Sequence, residues 1–186
     1  MYRVEDKYNC SAAELVTLQS RMEAALRPDV NEGGPEGYSI TSLYFDDFRD
    51  SCLQDTEDGV NRRNKYRIRI YNDALDVIKL EVKTKQDNRI LKRSRSISIA
   101  EMKSLIRGEC IEDSHSEKDP ATLFNLAIQT RGLRPRVIVA YERKAYVYGP
   151  GNVRITFDRN IRASGRVEAF GQKNISYVFC RNMIKC

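Results

Sequence analysis

Charged and apolar residues alternate strictly in Lys65-Tyr66-Arg67-Ile68-Arg69-Ile70, which places the three basic side chains on one face of a strand. The same alternation recurs in Ile78-Lys79-Leu80-Glu81-Val82-Lys83, where Lys, Glu and Lys lie opposite Ile, Leu and Val. Val153-Arg154-Ile155-Thr156-Phe157-Asp158 follows the same rule. Because a period of two is typical of half-buried strands, these segments predict a sheet with one apolar face and one charged face.

Further strands are predicted from runs rich in β-branched and aromatic residues. Together with the segments above, the predicted strands cover residues 2–8, 38–45, 67–71, 77–84, 90–99, 136–146 and 153–158. Gly149-Pro150-Gly151-Asn152 is a tight turn, and Gln86-Asp87-Asn88 joins another pair of strands. Strands joined by short turns, with few helices between them, predict an antiparallel sheet.

Three helices are predicted from the residues at their ends. Ser11-Ala12-Ala13-Glu14 and Ser98-Ile99-Ala100-Glu101 are capping boxes, and Asp119-Pro120 supplies the cap and first turn of the third helix. The helices are predicted to end at Pro28, Gly108 and Gly132. The inward-facing residues expected in the third helix are Leu123, Leu126 and Ala127. We expect the three helices to cover the strands.

Length and composition indicate a single globular domain, because 41% of the 186 residues are hydrophobic. Lys and Arg outnumber Asp and Glu by 32 to 26, and the resulting net charge of +6 favours an anionic partner. The sequence contains neither an apolar run near the roughly 18 residues of a membrane helix nor an apolar signal-peptide core, which predicts a cytoplasmic protein without a membrane span. A single histidine, His115, and the lack of a Cys-x-x-Cys pair argue against His-dependent catalysis and zinc binding; the cysteines are expected to be reduced thiols.

The charged face has two interpretations, namely the solvated side of an antiparallel sheet or the lining of a sheet closed into a barrel. A solvated face needs no preference for sign, yet Lys or Arg occupies it in at least four strands, which favours the barrel. Inward bases repel one another and lose hydration, so such a bore requires a polyanion to fill it. One strand does not follow the pattern, because Tyr141 and Arg143 share a face with Val137 and Val139. It either enters the bore late or contains a bulge.

Six short motifs follow one another within about residues 1–165. They are Glu5-Asp6-Lys7-Tyr8, Ser42-Leu43-Tyr44-Phe45-Asp46, Lys65-Tyr66-Arg67-Ile68-Arg69-Ile70-Tyr71, Leu80-Glu81-Val82-Lys83, Tyr141-Glu142-Arg143-Lys144-Ala145-Tyr146 and Val153-Arg154-Ile155-Thr156-Phe157-Asp158. No motif is specific alone, but the ordered set resembles the VTC domain of polyphosphate polymerases, within the triphosphate tunnel metalloenzyme (CYTH-like) superfamily. The resemblance implies an α+β fold in one domain over residues 1–186, an antiparallel β-barrel tunnel of about eight strands with flanking helices.

The resemblance also implies a role for each matching site residue. The residues that match the family's catalytic basic residues, which contact phosphate, are Arg67, Arg69, Arg143 and Arg154. Further phosphate-binding residues are Lys7, Lys83, Lys92 and Tyr141, and the carboxylates that match metal ligands, for Mn²⁺ or Mg²⁺, are Glu5 and Glu81. Arginine suits phosphate because its planar fork matches phosphate oxygens and keeps its charge. Arg62, Arg63 and Lys65 fall near the tunnel mouth, where they either guide substrate or are ordinary surface charges.

The leading functional hypothesis is an enzyme that transfers the terminal phosphate of a nucleoside triphosphate to a growing polyphosphate chain. Phosphoryl transfer asks mainly for positioning and charge neutralisation, so it needs no histidine or cysteine. A metal-dependent triphosphatase, with water as the acceptor, uses the same bore, and a non-catalytic binder of polyphosphate or inositol phosphates is a third possibility. Nucleic-acid binding is disfavoured, because Tyr66, Ile68 and Ile70 lie opposite the bases, where they cannot stack on nucleobases.

The C-terminal residues 166–186 do not match the family, which closes its tunnel with a strand carrying a further Glu-x-Lys. The expectation is either a truncated domain or a shortened tunnel with an incomplete metal site, which weakens the case for turnover more than the case for phosphate binding. Residues 175–179 are expected either to form a closing strand or to lie, with their neighbours, across the barrel end.

Overall fold

The computed structural model describes residues 4–29, 37–87 and 89–180. Within them the helices are α1 (Ala12–Ala25), α2 (Ser51–Glu57), α3 (Ile99–Arg107) and α4 (Pro120–Arg131). The strands are β1 (Arg27–Pro28), β2 (Tyr38–Asp46), β3 (Arg62–Tyr71), β4 (Ala74–Gln86), β5 (Arg89–Ile97), β6 (Arg134–Tyr148), β7 (Val153–Ser164) and β8 (Val178–Phe179). Short 3₁₀ turns occupy Pro150–Asn152 and Val167–Ala169.

All eight strands belong to one antiparallel sheet with the order β5-β4-β3-β2-β6-β7-β8, and β1 pairs with β6. The predicted α+β class with an antiparallel sheet is therefore confirmed. In the described part of the chain β5 and β8 do not pair with each other, so the tunnel-like sheet is open on one side. No helix among the described residues is long and apolar enough to cross a membrane.

The three predicted helices begin at their predicted caps, and α3 and α4 end at the predicted glycines, whereas α1 ends at Ala25, before Pro28, which lies in β1. Ser11 and Ser98 make complete capping boxes with Glu14 and Glu101, and Asp119 accepts a hydrogen bond from the backbone N–H of Ala121. Gly108 and Gly132 end α3 and α4 in the left-handed conformation, with φ of 76° and 66°. These local signals suffice because each satisfies backbone groups that a helix end leaves unpaired.

The short helix α2 has no such signal in the sequence and is not predicted. Its N-cap residue, Asp50, has a φ of 54° and makes no side-chain capping bond. Instead, the buried carboxylate of Asp46, at the end of β2, accepts hydrogen bonds from the N–H groups of Cys52 (2.9 Å) and Leu53 (3.1 Å). The cap therefore comes from a preceding strand.

The apolar face of the sheet packs against α3 and α4 and forms the main core. Ile68, Leu80 and Ile138 are fully buried there, each contributing about 1.5–3 kcal/mol relative to exposure. The ring of Phe124 packs edge-on against both Phe45 and Tyr66, with ring centroids 5.2 Å apart in each pair. A separate cluster of Leu15, Tyr146 and Phe157 packs α1 on β6 and β7. Leu126, expected to face inward, is 54% exposed, because α4 turns Phe124, Ala127 and Ile128 toward the sheet instead.

Several predicted boundaries are wrong. Residues 4–8 of the strand predicted at residues 2–8 form no strand, because Val4 and Tyr8 are exposed and contact no apolar surface. Tyr2 and Arg3 lie outside the described residues, and so does Asn88 of the predicted turn between β4 and β5. The strand predicted for residues 90–99 ends at Ile97, because Ser98 caps α3.

Cys10 is disulfide-bonded, so the prediction of reduced thiols is wrong for this residue, whereas Cys52, Cys110 and Cys180 are free.

The segment after β7 packs on the helix side of the sheet. Val167, Ile175 and Tyr177 contact the main core, and only Val178–Phe179 pairs with β7, opposite Arg162 and Ala163. Of the segment predicted at residues 175–179, the structure thus forms a two-residue strand that extends the sheet beyond β7.

Strand β6 keeps one face from Val137 to Arg143, which resolves the alternative left open by its sequence. Its pairing with β2 runs without a break from Arg143 to Val137, so Val137, Val139, Tyr141 and Arg143 share the charged face. Register shifts lie outside this pairing: one against β2 between Val137 and Pro135, and one against β7 between Ala140 and Glu142. Strand β6 therefore begins with apolar residues on the charged face and becomes polar at Tyr141.

Candidate functional site

The centre of the charged face is Glu81 on β4, whose carboxylate is 1% exposed. Its Oε2 accepts hydrogen bonds from Arg67, with distances of 2.7 Å from Nε and 2.6 Å from Nη2. Its Oε1 lies 3.1 Å from Nζ of Lys92, and Arg69 Nη1 lies 3.8 Å from Oε2. The strand register explains this cluster. Arg67 pairs directly with Glu81, and Lys92 lies two residues from Ser94, the β5 residue that pairs with Glu81. Three cations thus surround one buried anion.

The surrounding charges determine the ionisation of Glu81. Burial alone would raise the pKa of this carboxyl group, but Arg67, Arg69 and Lys92 outweigh burial and lower it to about 2. The pKa of Arg67 is raised, because Tyr44 and Glu81 offset its burial. Tyr44 accepts a hydrogen bond of 3.1 Å from Arg67 Nη1, and the two guanidinium groups of Arg67 and Arg69 lower the pKa of this buried phenol. The centre is therefore fully charged at neutral pH.

A hydrogen bond links this centre to the far wall of the face. Arg69 donates from Nη2 to the hydroxyl of Tyr141 on β6 and from Nε to Ser42 on β2, at 3.3 Å in both cases. Arg143 lies over the ring of Tyr141, 5.2 Å from its centroid, and binds Asp158 through two bonds of 2.6 and 2.7 Å. Burial raises the pKa of Tyr141, which keeps its hydroxyl protonated and able to donate a hydrogen bond.

Arg154 extends the wall along β7. Its Nε binds the carboxylate of buried Asp29 at 2.6 Å, and its Nη2 donates to the hydroxyl of Tyr38 at 3.1 Å. Tyr38 stands opposite Arg143 in the β2–β6 pairing, so Arg143 and Arg154 are near neighbours. An apolar cluster of Tyr38, Ile40, Tyr141 and Ile161 underlies this wall.

The N-terminal segment crosses the open side of the face. Glu5 forms an ion pair with Lys83 on β4, and its carboxylate also feels the charges of Lys7 and of Arg143 on β6. Burial would raise the pKa of Glu5, but these bases lower it. Residues on both walls therefore act on one carboxylate, which lies between them.

The structure brings the predicted site residues onto one face and shows how they are held. Six of the seven bases that the resemblance assigns to phosphate are bound to a carboxylate or hydroxyl: Arg67 and Lys92 to Glu81, Arg69 to Tyr141, Lys83 to Glu5, Arg143 to Asp158 and Arg154 to Asp29. Lys7 is exposed at the edge. Five of these six bases are thus neutralised by carboxylates of the same chain, and Arg69 is held by the hydroxyls of Ser42 and Tyr141.

Sequence reasoning missed four residues of this face. Tyr44, Ser42 and Tyr38 alternate with Leu43 and Phe45, so the parity of β2 could have identified them. Asp29 follows β1 outside any alternating run, and no pattern in the sequence indicates that it binds Arg154.

The comparisons with known proteins agree with this geometry. A family model described as the VTC domain matches residues 2–181. The chain belongs to the VTC domain family. The family match extends past residue 165, where the recognisable motifs end, and includes β8. No curated protein matches this VTC domain in sequence.

A solved structure confirms the fold class of this VTC domain. A protein from Bacillus halodurans, provisionally described as an adenylate cyclase, superposes with a TM-score of 0.57 at 14% sequence identity. The superposition covers 99% of this chain and 80% of that protein. At this identity the likeness concerns the fold alone.

Proposed function

We propose that this VTC domain binds the phosphates of a nucleoside triphosphate and of polyphosphate on the charged face, and transfers the terminal phosphate to the growing chain. The observation that carries the proposal is the buried Glu81 centre, where Arg67, Arg69 and Lys92 converge on a single anion. A cluster of this kind recognises closely spaced negative oxygens, because guanidinium groups bind phosphate and carboxylate with the same planar fork.

In the proposed mechanism, the bases exchange carboxylate partners for phosphate oxygens. Arg67, Arg69, Arg143 and Arg154 spread the charge that develops on the transferred group, and Tyr141 donates a hydrogen bond to the chain. Lys7, Lys83 and Lys92 hold the adjoining phosphates. Because the arginines are already positioned by Tyr44, Ser42 and Tyr38, binding costs little further ordering of their side chains.

The proposed metal ligands are Glu5 and Glu81, for Mn²⁺ or Mg²⁺. Among the described residues no group of three or more His, Cys, Asp or Glu side chains is arranged so that it could hold a metal ion. Such ions are often held by one or two carboxylates together with substrate phosphates, so ionised Glu81 fits this role once a base has moved onto phosphate. A bound ion would supply neutralisation of phosphate charge. An ATP-using activity would also fit a cytoplasmic location, which stays a prediction.

A second candidate, a non-catalytic binder of polyphosphate or inositol phosphates, is favoured by the ion pairs of both proposed metal ligands. Glu5 binds Lys83 through Oε2, and Arg67 and Lys92 occupy both carboxylate oxygens of Glu81, so the bases already compete with a metal ion for these ligands. A triphosphatase, with water as acceptor, requires the same residues as the polymerase.

One experiment separates these functions. Purified protein is incubated with ATP and Mn²⁺, and polyphosphate is resolved from orthophosphate. Polyphosphate chains support the polymerase, orthophosphate alone supports the triphosphatase, and tripolyphosphate binding without turnover supports the binder. Absence of tripolyphosphate binding refutes all three. Arg67→Ala should abolish turnover, whereas Arg166→Ala, which removes a side chain that is 70% exposed, is the matched control.

A further inference from the structure

The charged face continues beyond the assigned residues toward the start of β3 and the end of β4. In the strand register Lys65 pairs with Lys83, and Lys83 pairs with Lys92, so three lysines lie side by side on adjacent strands. One further step along the same face, Arg63 pairs with Lys85. Alternation along β3 and β4, and the pairing of Lys92 with Lys83, place all five on the same side of the sheet as Arg67 and Glu81.

Like charges directly opposite each other destabilise a sheet unless an anion lies between them. Glu5 and Glu81 supply that anion for Lys83 and Lys92. In the described part of the chain, neither Lys65 nor Lys85 has an ion pair or a hydrogen bond from its side chain, and Arg63 donates only to the carbonyl oxygen of Val60, at 2.6 Å. Arg63, Lys65 and Lys85 are all half-buried. The positive charge of this region is thus unbalanced.

The surroundings of Lys65 show the same imbalance. Burial lowers the pKa of its ammonium group. Tyr44 opposes that shift, but the charges of Lys7, Lys83 and Arg63 add to it, and the pKa stays below its usual value. An anion placed among these four bases would relieve both the lost hydration and the repulsion.

We propose that Arg63, Lys65 and Lys85 form an outer docking site for a phosphate chain longer than a triphosphate. The proposal rests on the proposed function, in which the Glu81 centre holds the reacting phosphates. Arg67 is four residues from Arg63 along β3, a distance of about 13 Å. A triphosphate bound at Glu81 is too short to span that distance. Only a longer chain contacts both places, so the outer site selects polyphosphate over triphosphate.

The test compares two ligands, inorganic tripolyphosphate and size-fractionated long-chain polyphosphate, by isothermal titration calorimetry. One variant combines Arg63→Gln and Lys85→Gln, and a second carries Lys65→Gln. The matched control combines Lys103→Gln and Lys118→Gln, which removes the same charge from exposed positions on α3 and before α4. The first variant should lose about tenfold in affinity for long chains and less than about twofold for tripolyphosphate. Arg63→Lys with Lys85→Arg should restore the long-chain affinity, because it restores both charges.

Each other outcome overturns the proposal. Equal losses for the two ligands would show that these bases act only through the net charge, as would equal losses in the control. Single-stranded DNA is a third ligand in the same titrations. If the first variant binds DNA and long polyphosphate equally well, and binds each as tightly as the unaltered protein does, the face does not select phosphate chains. If tripolyphosphate binds normally but the variants have no effect, the outer site fails while the proposed function stands. If the unaltered protein binds neither ligand, both fail.

Discussion

Replacing Glu81 by glutamine should destabilise the protein without ligand, and ligand should restore much of the loss. The carboxylate is 1% exposed and its pKa is lowered from 4.5 to about 2, which corresponds to about 3 kcal/mol of stability at neutral pH. Glu81→Gln removes that contribution and leaves Arg67, Arg69 and Lys92 without their common anion. For a chain of this length the loss lowers the melting temperature by roughly 6–12 °C.

The assay is urea and thermal unfolding followed by circular dichroism, with and without saturating tripolyphosphate. Phosphate oxygens replace the missing negative charge, so the ligand should raise the melting temperature more in Glu81→Gln than in the unaltered protein. Glu168→Gln is the matched control, because that carboxylate is 69% exposed and lies 3.8 Å from Arg166. The reasoning is refuted if Glu81→Gln unfolds within about 1 kcal/mol of the unaltered protein, or if the ligand stabilises the variant less.

Three further predictions concern pH, affinity and backbone geometry. Because the pKa of Glu81 is lowered on folding, its stabilisation is present above pH 4.5 and is lost as the pH falls toward about 2, so urea unfolding of Glu81→Gln should change less over that range than unfolding of the unaltered protein. Arg67→Lys should weaken tripolyphosphate binding about tenfold or more in calorimetry, because an ammonium group cannot bridge Tyr44 and Glu81 as the guanidinium does; equal affinity would contradict its role. Gly37→Ala should lower the free energy of unfolding by more than about 1 kcal/mol, since φ is +83° and the new Cβ would lie 2.2 Å from the carbonyl oxygen of Arg143; an unchanged urea midpoint would contradict this.

The strands and helix ends were predictable because local patterns determine them. Alternation in β3 and β4 separates Ile68 and Leu80 from Arg67 and Glu81, and the structure keeps that separation over residues 65–70 and 78–83. The helix caps act within four residues of chain, so they are visible in the sequence. Helix α2 was not predictable, because the Asp46 cap reaches it from the strand before it.

The pairing of bases with acids could not be predicted from the same patterns. Arg154 binds Asp29 across 125 positions of sequence, and Lys83 binds Glu5 across 78. Such pairs depend on how β7, β4 and the N-terminal segment come together in space, and alternation within a strand carries no information on that. The resemblance to a family predicted which bases form the site, whereas the structure alone shows that their partners in the folded chain are carboxylates and, for Arg69, hydroxyls.

The apolar cluster beneath the arginine wall affects how strongly salt can screen the site. Tyr38, Ile40, Tyr141 and Ile161 displace water and mobile ions from the side of the face on which Arg143 and Arg154 stand. Electric field lines from these arginines therefore spread less into solvent and concentrate toward the open side, where a ligand would approach. Bases backed by hydrocarbon keep more of their attraction at physiological ionic strength than exposed bases do, because the screening length of about 8 Å applies to charges that solvent surrounds. Phosphate bound against this wall should therefore resist added salt better than phosphate bound at the outer lysines.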